Sequence, residues 1–237
     1  MKALIFDIWG DLAHFKRFYT TSSPLTFSFP PPPTVKGILG AIIGCDKNSY
    51  LNTFSSDKCN IAIQILNPIK KIRLGLNHIN TKGNFWRPTK KVSHEARTQI
   101  PAEFIKDPAY RIYVTHKEEE IFNALLKNIR SHKTFFTISL GLSELLADFS
   151  YVGDMEFEKF GEGEVEISSV VPISSILEGL RLKEGCRYFK ERIPLDMDQN
   201  RVVKRYEDVL YESQGKKVYA KIKNLWRGED GTCITFL

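Results

Sequence analysis

Short apolar stretches with a two-residue period predict the strands in the first part of the chain. In residues 3–9 both alternating sets of side chains are mostly apolar, which is typical of a strand buried on both faces. Later stretches show the same alternation, or an apolar run between turn residues. They cover residues 61–66, 72–76, 111–114 and 134–140. We therefore predict a sheet built from these strands.

Apolar residues at helical spacing predict two helices between the strands. The first follows the proline run 30–33, with Thr34 at the N-cap position and Gly37, Gly40 and Gly44 along its length. An interior glycine costs about 1 kcal/mol relative to alanine, so these glycines need a packing reason. We predict that another backbone approaches them closely and assign them to subunit packing. A helix packed tightly in the core is the alternative.

The second helix is predicted to begin with a capping box. Thr115 would be the N-cap and Glu118 the third helical position, and the helix would run to about Arg130. Its apolar side chains recur every three or four residues, as in a helix that packs one face on a sheet. Together the elements predict an α+β fold, with a ferredoxin-like (RRM-like) β-α-β-β-α-β domain over residues 1–148.

Two further regions complete the predicted organisation. Residues 77–109 are polar, basic and proline-containing, and they predict a protruding basic β-hairpin, or thumb. Residues 149–237 contain several short strand-like pieces separated by glycine and proline. They predict a smaller, β-rich C-terminal lobe, and we expect it to pack on the first domain because no flexible linker separates the two.

Basic charge is concentrated in the first part of the chain. The net charge of +6 divides into +8 in residues 1–148 and −2 in residues 149–237. Residues 70–117 alone hold 11 Lys and Arg against 3 Asp and Glu. A basic segment beside a neutral remainder predicts a polyanionic partner, most simply a nucleic acid.

Basic and aromatic residues interleave near the first strand and again in the predicted thumb. Lys and Arg neutralise phosphates, and aromatic rings offer faces on which unpaired bases stack. If Phe15 and Phe18 are instead core residues, only the charges beside them would face the solvent. The predicted RNA-binding residues are Lys16, Arg17, Tyr19, Lys71, Arg73, Trp86, Arg87, Lys90, Lys91, His94 and Arg97.

The sequence gives only weak indications of metal binding or catalysis. The four cysteines form no C-x-x-C pair and no cluster with histidine, so we expect scattered reduced thiols, no metal site and no cofactor. His94 could act as a general base instead of an RNA contact. No stretch predicts a signal peptide or a membrane span, and a cytoplasmic location is expected.

Several motifs resemble those of a known family. They are the opening strand 3–9, the basic aromatic stretch 15–19, S-F-P-P-P-P at 28–33, G-I-L-G-A-I-I-G at 37–44 and L-G-L-S-E at 140–144. In these motifs the chain resembles the Cas-five family of CRISPR-associated proteins, in the RAMP superfamily, and most of all its type I-B branch. The resemblance implies a subunit of a type I Cascade effector complex. Such a subunit would hold the 5′ handle of the guide crRNA and contact the backbone and large subunits in antiviral defence.

We therefore predict a non-catalytic, RNA-binding Cascade subunit. The resemblance also implies an alternative, because some relatives are metal-independent endoribonucleases that process CRISPR repeat RNA with tyrosine, lysine and histidine. Loose candidates for that chemistry are Tyr19, Tyr50, His116 and Lys117. A generic RNA-binding module outside CRISPR is the second alternative.

Overall fold

Strands dominate the protein. In this computed structural model residues 1–20, 23–80 and 96–237 are described. The helices are α1 (Pro32–Ile43), α2 (Tyr50–Thr53) and α3 (Glu119–Arg130). The strands are β1 (Lys2–Trp9), β2 (Leu12–Ala13), β3 (Cys59–Ile65), β4 (Lys70–Ile79), β5 (Arg97–Lys106), β6 (Ala109–His116), β7 (Asp148–Ile167), β8 (Val171–Pro172), β9 (Ile176–Arg181), β10 (Tyr188–Met197), β11 (Val203–Glu212), β12 (Val218–Gly228) and β13 (Cys233–Ile234). The chain is thus a mixed α/β protein with few helices.

A large antiparallel sheet forms the centre of the fold. Its strand order is β13-β12-β7-β1-β6-β3, and β9 also pairs with β12. The strand β7 is 20 residues long, and its first half pairs with β1 while its second half pairs with β12. One strand therefore carries the sheet from the N-terminal elements into the C-terminal ones. The domain division predicted after residue 148 stays a prediction.

The first strand is buried on both faces, as the sequence predicts. On one face Leu4, Phe6 and Ile8 belong to the core cluster that includes the apolar residues of α1 and α3. On the other face Ala3 and Ile5 belong to a separate buried cluster. Because both faces are covered by protein, neither alternating set of residues can be mainly polar.

The stretch 134–140 is not a strand, and this part of the sequence prediction is wrong. Instead β7 lies beside β1. The backbone N–H groups of Phe135 and Phe136 donate to the carbonyl oxygens of Ile42 and Ala41, at 3.2 and 2.9 Å. A helix leaves its last carbonyl groups without helical partners. The stretch therefore provides hydrogen-bond partners for the last carbonyl groups of α1 and does not pair with the edge of the sheet.

The strand predicted at 72–76 lies in a separate hairpin rather than in the main sheet. It is part of β4, which pairs with β5 over all ten residues, and β2 completes this three-stranded sheet. The hairpin thus begins at residue 70, earlier than the predicted excursion 77–109. The alternating pattern identified the strand correctly but carries no information on which partner strand it joins.

The helix α1 begins two residues before the predicted N-cap. Pro31 is the N-cap and Pro32 the first helical residue, so Thr34 lies inside the first turn. Proline fits here because its φ is already close to the helical value and the first turn needs no N–H partner.

The predicted capping box of α3 is also wrong. Glu118 is the N-cap of this helix. Thr115 stays in β6, and its hydroxyl oxygen accepts a hydrogen bond from the Asn60 side-chain amide on β3, at 3.0 Å. Pairing of β6 with β3 thus extends the strand beyond the point at which the local sequence favours a helix.

A second three-stranded sheet, β10-β11-β8, packs against α1. The side chain of Lys36 on α1 is only 2% exposed, and its ammonium group pairs with Asp196 on β10 at 2.9 Å and donates to the Ser56 hydroxyl at 3.1 Å. Burial raises the pKa of the Asp196 carboxyl, but the hydrogen bond and the charge of Lys36 outweigh this and leave the pKa below its usual value. The ion pair thus fixes β10 relative to α1.

Candidate nucleic-acid interface

A cleft of about 470 Å³ lies between the segment before α1, the start of β4 and the hairpin β10–β11. Five basic side chains and one carboxylate line it, together with three aromatic rings. The cleft thus combines the two residue types that bind single-stranded nucleic acid. Its lining residues are Arg17, Tyr19, Ser28, Ile69, Lys71, Arg187, Phe189, Lys190, Glu191, Arg192, Tyr211 and Ser213.

The Arg17 guanidinium is anchored inside this cleft. Its Nε donates to the Thr26 carbonyl oxygen at 3.0 Å, and one terminal nitrogen donates to the Tyr19 hydroxyl at 2.7 Å. The other terminal nitrogen forms an ion pair with Glu191 on β10. Arg17 therefore holds Tyr19 and β10 in place, and its positive charge is partly neutralised by the carboxylate.

Glu191 and Ser28 form the floor of the cleft. The Glu191 side chain is 5% exposed, and its second oxygen accepts a hydrogen bond from the Ser28 backbone N–H at 3.2 Å. The Ser28 hydroxyl lies 2.7 Å from the hydroxyl of Tyr211, and the Ser28 carbonyl accepts from Tyr110 at 3.0 Å. Burial, and the nearby negative charge of Glu191, raise the pKa of Tyr211. The phenol therefore stays protonated at neutral pH and keeps a hydrogen to share with Ser28.

Lys71 joins the cleft from β4. Its ammonium group donates to the Thr26 carbonyl oxygen at 3.0 Å and pairs with Glu103 at 3.3 Å. Arg73 is exposed on the same face of the hairpin, directly opposite Glu103. Of the residues predicted from the sequence, the structure thus brings Arg17, Tyr19 and Lys71 together.

Seven lining residues from the second half of the chain escaped the sequence analysis, and four of them are basic or aromatic residues close together in the sequence: Arg187, Phe189, Lys190 and Arg192. Lys190 pairs with Asp208, whereas the Arg192 guanidinium lies over the ring of Tyr206. Among the described residues, the side chain of Arg187 has no ion-pair partner. A signal existed, because residues 187–192 interleave basic and aromatic side chains just as residues 15–19 do. Averaging charge over the whole of residues 149–237 concealed it.

The position of Arg187 is fixed through its backbone. Its N–H donates to the Glu212 carboxylate at 2.9 Å, and its carbonyl oxygen accepts from the Ser213 N–H at 2.9 Å. Glu212 is almost fully buried and also accepts the N–H groups of Gln214 and Lys216. This carboxylate thus ties the start of β10 to the turn after β11.

The other predicted RNA-binding residues lie elsewhere. Lys16 is exposed and lines a separate cleft of about 280 Å³. Arg97 is exposed opposite Ile79, eight residue pairs beyond Lys71 along the hairpin, or about 27 Å at the usual rise of a strand. Five predicted residues lie outside the described residues: Trp86, Arg87, Lys90, Lys91 and His94.

Side chains of the chain itself pack against two of the three glycines assigned to subunit packing. A Cβ at Gly40 would lie 2.8 Å from the Cβ of Tyr50, and one at Gly44, where φ is +80°, would lie 2.7 Å from the ring of Phe135. A Cβ at Gly37 would lie 3.7 Å from the Tyr50 ring, an ordinary contact, and Gly37 lines an open groove of about 430 Å³. Subunit contacts at these glycines stay predictions, and Gly37 is the one for which the described residues supply no packing reason.

The loose candidates for ribonuclease chemistry are not assembled into one site. Tyr19 lies in the basic cleft, whereas Tyr50 packs on α1. Both ring nitrogens of His116 are engaged with backbone groups, since one lies 2.9 Å from the Thr53 carbonyl oxygen and the other accepts the Glu118 N–H at 3.0 Å. The imidazole therefore ties α2 to the start of α3.

Charged side chains on one face of the main sheet are arranged differently from those in the cleft. On β7, β9 and β12, basic and acidic side chains alternate and neutralise one another. The described ion pairs there are Arg181–Glu164, Lys183–Glu166 and Lys221–Glu178. Interspersed charges of this kind are typical of a solvated surface, whereas the lining of the cleft holds five basic side chains and one carboxylate.

In residues 1–20, 23–80 and 96–237, no group of three or more His, Cys, Asp or Glu side chains could hold a metal ion. Within the same ranges no helix has the length and apolar character needed to cross a membrane.

Several solved structures share this fold. A chain titled "CRISPR RNA-guided surveillance complex" matches with a TM-score of 0.55 at 11% identity, over 92% of this chain and 91% of that one. A CRISPR protein from Archaeoglobus fulgidus matches with 0.55 at 17% identity, over 98% and 97%. A chain of the type III-B Cmr-beta complex bound to cognate target RNA and AMPPnP matches with 0.50 at 14% identity, over 92% and 86%. At such identities the likeness shows the fold alone.

The family assignment rests on the sequence itself. No curated protein matches the chain. The family described as "CRISPR-associated protein (Cas_Cas5)" matches residues 3–210, which is most of the chain. This range includes the glycine-containing helix α1 and both strands, β10 and β11, that line the basic cleft. The chain therefore belongs to the Cas5 family of CRISPR-associated proteins.

Proposed function

We propose that this protein is a non-catalytic subunit of a type I CRISPR Cascade effector complex, and that its basic cleft binds and caps the 5′ handle of the guide crRNA. The observation that carries the proposal is the convergence of Arg17, Lys71, Arg187, Lys190 and Arg192 on one cleft with aromatic walls, in a chain of the Cas5 family. Cations and rings in one groove bind single strands by neutralising phosphates and stacking bases.

The fold supports this proposal. Strands β7, β1, β6 and β3 are adjacent in that order, with α1 and α3 packed on one face, and we assign them to a ferredoxin-like domain followed by a β-rich lobe. The β4–β5 hairpin would be the thumb of that domain and would extend the RNA-binding surface through Arg73 and Arg97. The assignments to type I and to its I-B branch rest on the motif resemblance alone.

The proposed partners are the guide crRNA and the backbone and large subunits of Cascade. One similar structure is a chain of a CRISPR RNA-guided surveillance complex, and another belongs to a complex bound to target RNA. The open groove beside Gly37 is a candidate for contact with a neighbouring subunit, because this face of α1 carries little side-chain bulk.

Equilibrium binding tests the proposal. The purified full chain would be titrated, in EDTA, against labelled guide RNA with its natural 5′ handle and against RNA of equal length with a scrambled handle. We expect at least tenfold tighter binding to the natural handle and intact RNA after incubation. Equal affinities would favour a generic RNA-binding module, and cleavage at one position would overturn the non-catalytic assignment.

A further inference from the structure

The ring of Phe189 has one supported face and one exposed side. It stacks on Tyr211, with ring centroids 5.9 Å apart and an interplanar angle of 20°. The residue is nevertheless 48% exposed, and both rings line the basic cleft. A stacked pair with a free outer face is a surface onto which a third flat ring can be added.

This aromatic pair is held in place. Phe189 lies opposite Tyr211 in the pairing of β10 with β11, so the two side chains share a face of the sheet. The Tyr211 hydroxyl is hydrogen-bonded to the Ser28 hydroxyl at 2.7 Å, and the ring of Phe29 packs edge-on against Tyr211 at 5.3 Å. A ring added to Phe189 would therefore meet a platform whose orientation is already fixed.

A cation lies next to this platform. Arg187 is two residues before Phe189, just ahead of β10, and both residues line the cleft. Among the described residues its guanidinium has neither an ion pair nor a hydrogen bond. The hydroxyl of Ser213, which also lines the cleft, has no side-chain partner among these residues either. The platform thus has unused hydrogen-bond donors beside it, suited to a phosphate or a ribose.

We propose that the cleft holds a single unstacked nucleotide of the bound RNA, with its base on the outer face of Phe189 and its phosphate beside Arg187. This assignment rests on the proposed function. It goes beyond that function because RNA could be bound through its phosphates alone, without a base stacked on Phe189. The cleft volume of about 470 Å³ lies within the range of pockets that enclose small molecules. The nucleotide would be distinguished from its neighbours by being turned out of their stack.

The test couples a change in the protein to a change in the RNA. Guide RNAs carrying one abasic residue at each handle position in turn would be titrated against the wild-type chain and against Phe189→Ala. We expect one position at which loss of the base weakens binding to the wild type by about 5- to 100-fold and has no further effect on the variant. Phe189→Trp should restore sensitivity at that position, because its ring offers an equal or larger stacking face.

Phe160→Ala is the matched control. Phe160 is also 48% exposed, but it lies on β7 beneath the guanidinium of Arg227 and away from the cleft. We expect this variant to keep the wild-type abasic profile, and thermal melting of each variant confirms that it is folded. If the wild type still prefers the natural handle, but Phe189→Ala and each abasic substitution weaken binding independently at every position, the nucleotide site is overturned and the proposed function is left intact. Equal affinities of the wild-type chain for RNA with the natural and with the scrambled handle would instead overturn the proposed function.

Discussion

Arg17 forms an ion pair with Glu191, a residue 174 positions away in the chain. The pair joins the segment before α1 to β10 and lies at the bottom of the basic cleft. Since the same carboxylate also accepts the N–H of Ser28, one side chain holds both walls of the cleft. A single acidic residue thus organises a site whose overall charge is positive.

The first prediction concerns this carboxylate. Glu191→Ala should lower the free energy of unfolding by about 3 kcal/mol, because it leaves the Arg17 guanidinium and the Ser28 N–H without their partner. Urea denaturation measures the change. The matched control is Glu184→Ala, at an exposed position, which should change stability by less than about 0.5 kcal/mol. Equal effects of the two substitutions would contradict the role assigned to the ion pair.

The second prediction concerns the cations found only in the structure. Replacing Arg187 and Arg192 with alanine should weaken binding of single-stranded RNA. It should also reduce the slope of log affinity against log salt by about 0.7 for each phosphate that is no longer neutralised, because fewer counterions are released. Titrations between about 50 and 200 mM salt measure that slope.

The control for these cations is Arg181→Ala. Arg181 is an exposed arginine, but it pairs with Glu164 on the neutralised face of the main sheet. Its replacement should leave the salt slope unchanged. If Arg187 and Arg192 behave like Arg181, the cleft is not the RNA-binding surface.

The third prediction is a pH dependence at Asp154. Hydrogen bonds from Lys2 and Tyr151, aided by the charge of Lys2 and Arg130, lower the pKa of this carboxyl to about 2. In the unfolded chain the pKa would be about 3.9. The folded state thus binds the proton less readily, so the stabilisation is complete above about pH 4 and is lost as the pH falls from about 4 to 2.

Asp154→Asn should therefore destabilise the protein by about 1–2 kcal/mol at pH 7 and have almost no effect at pH 2, allowing for partial solvent screening. Urea denaturation across this pH range measures the difference. Glu162→Gln is the control, because Glu162 forms no ion pair among the described residues. A pH-independent effect of Asp154→Asn would mean that its charge is not responsible.

The fourth prediction separates the helix glycines. Gly40→Ala should lower stability by about 1–2 kcal/mol, because the new Cβ would press on Tyr50 at 2.8 Å. Gly37→Ala should raise the stability of the free chain by up to about 1 kcal/mol, because alanine favours the helix and meets only an ordinary contact. Thermal unfolding of the two variants checks both signs.

Gly37→Ala also tests the proposed subunit contact. If a neighbouring subunit packs closely on this face of α1, the variant should be stable alone but incorporated less well into the complex. Pull-down with the proposed partner subunits measures incorporation. Normal incorporation would remove Gly37 from the subunit interface.

The local spacing of apolar residues was enough to predict the strands and helices whose positions are set by which of their own faces are buried. The strand at 3–9 and the main body of both long helices follow directly from the spacing of apolar residues. The stretch 134–140 has an equally good strand pattern, but the N–H groups of Phe135 and Phe136 bond to the end of α1 instead. Which partner a strand or a loop finds is decided by contacts far apart in the sequence.

The same limit applies to the cleft. Arg17 and Tyr19 could be chosen because basic and aromatic residues are close together at 15–19, and Lys71 could be chosen because it lies in the basic segment 70–117. Nothing local shows that Glu191 neutralises Arg17, since 174 residues separate them. The basic residues of β10 were concealed by acidic neighbours, and only the pairing of β10 with β11 brings Phe189 onto Tyr211.

Co-purification tests the central claim most directly. The tagged full chain would be expressed with its neighbouring genes and a CRISPR repeat array, and the bound RNA would be sequenced. We expect guide RNAs that share one 5′ end, and we expect Arg187→Ala combined with Arg192→Ala to reduce their recovery while Arg181→Ala does not. Heterogeneous cellular RNA, or no RNA, with the wild-type chain would contradict the proposed capping of the crRNA 5′ handle.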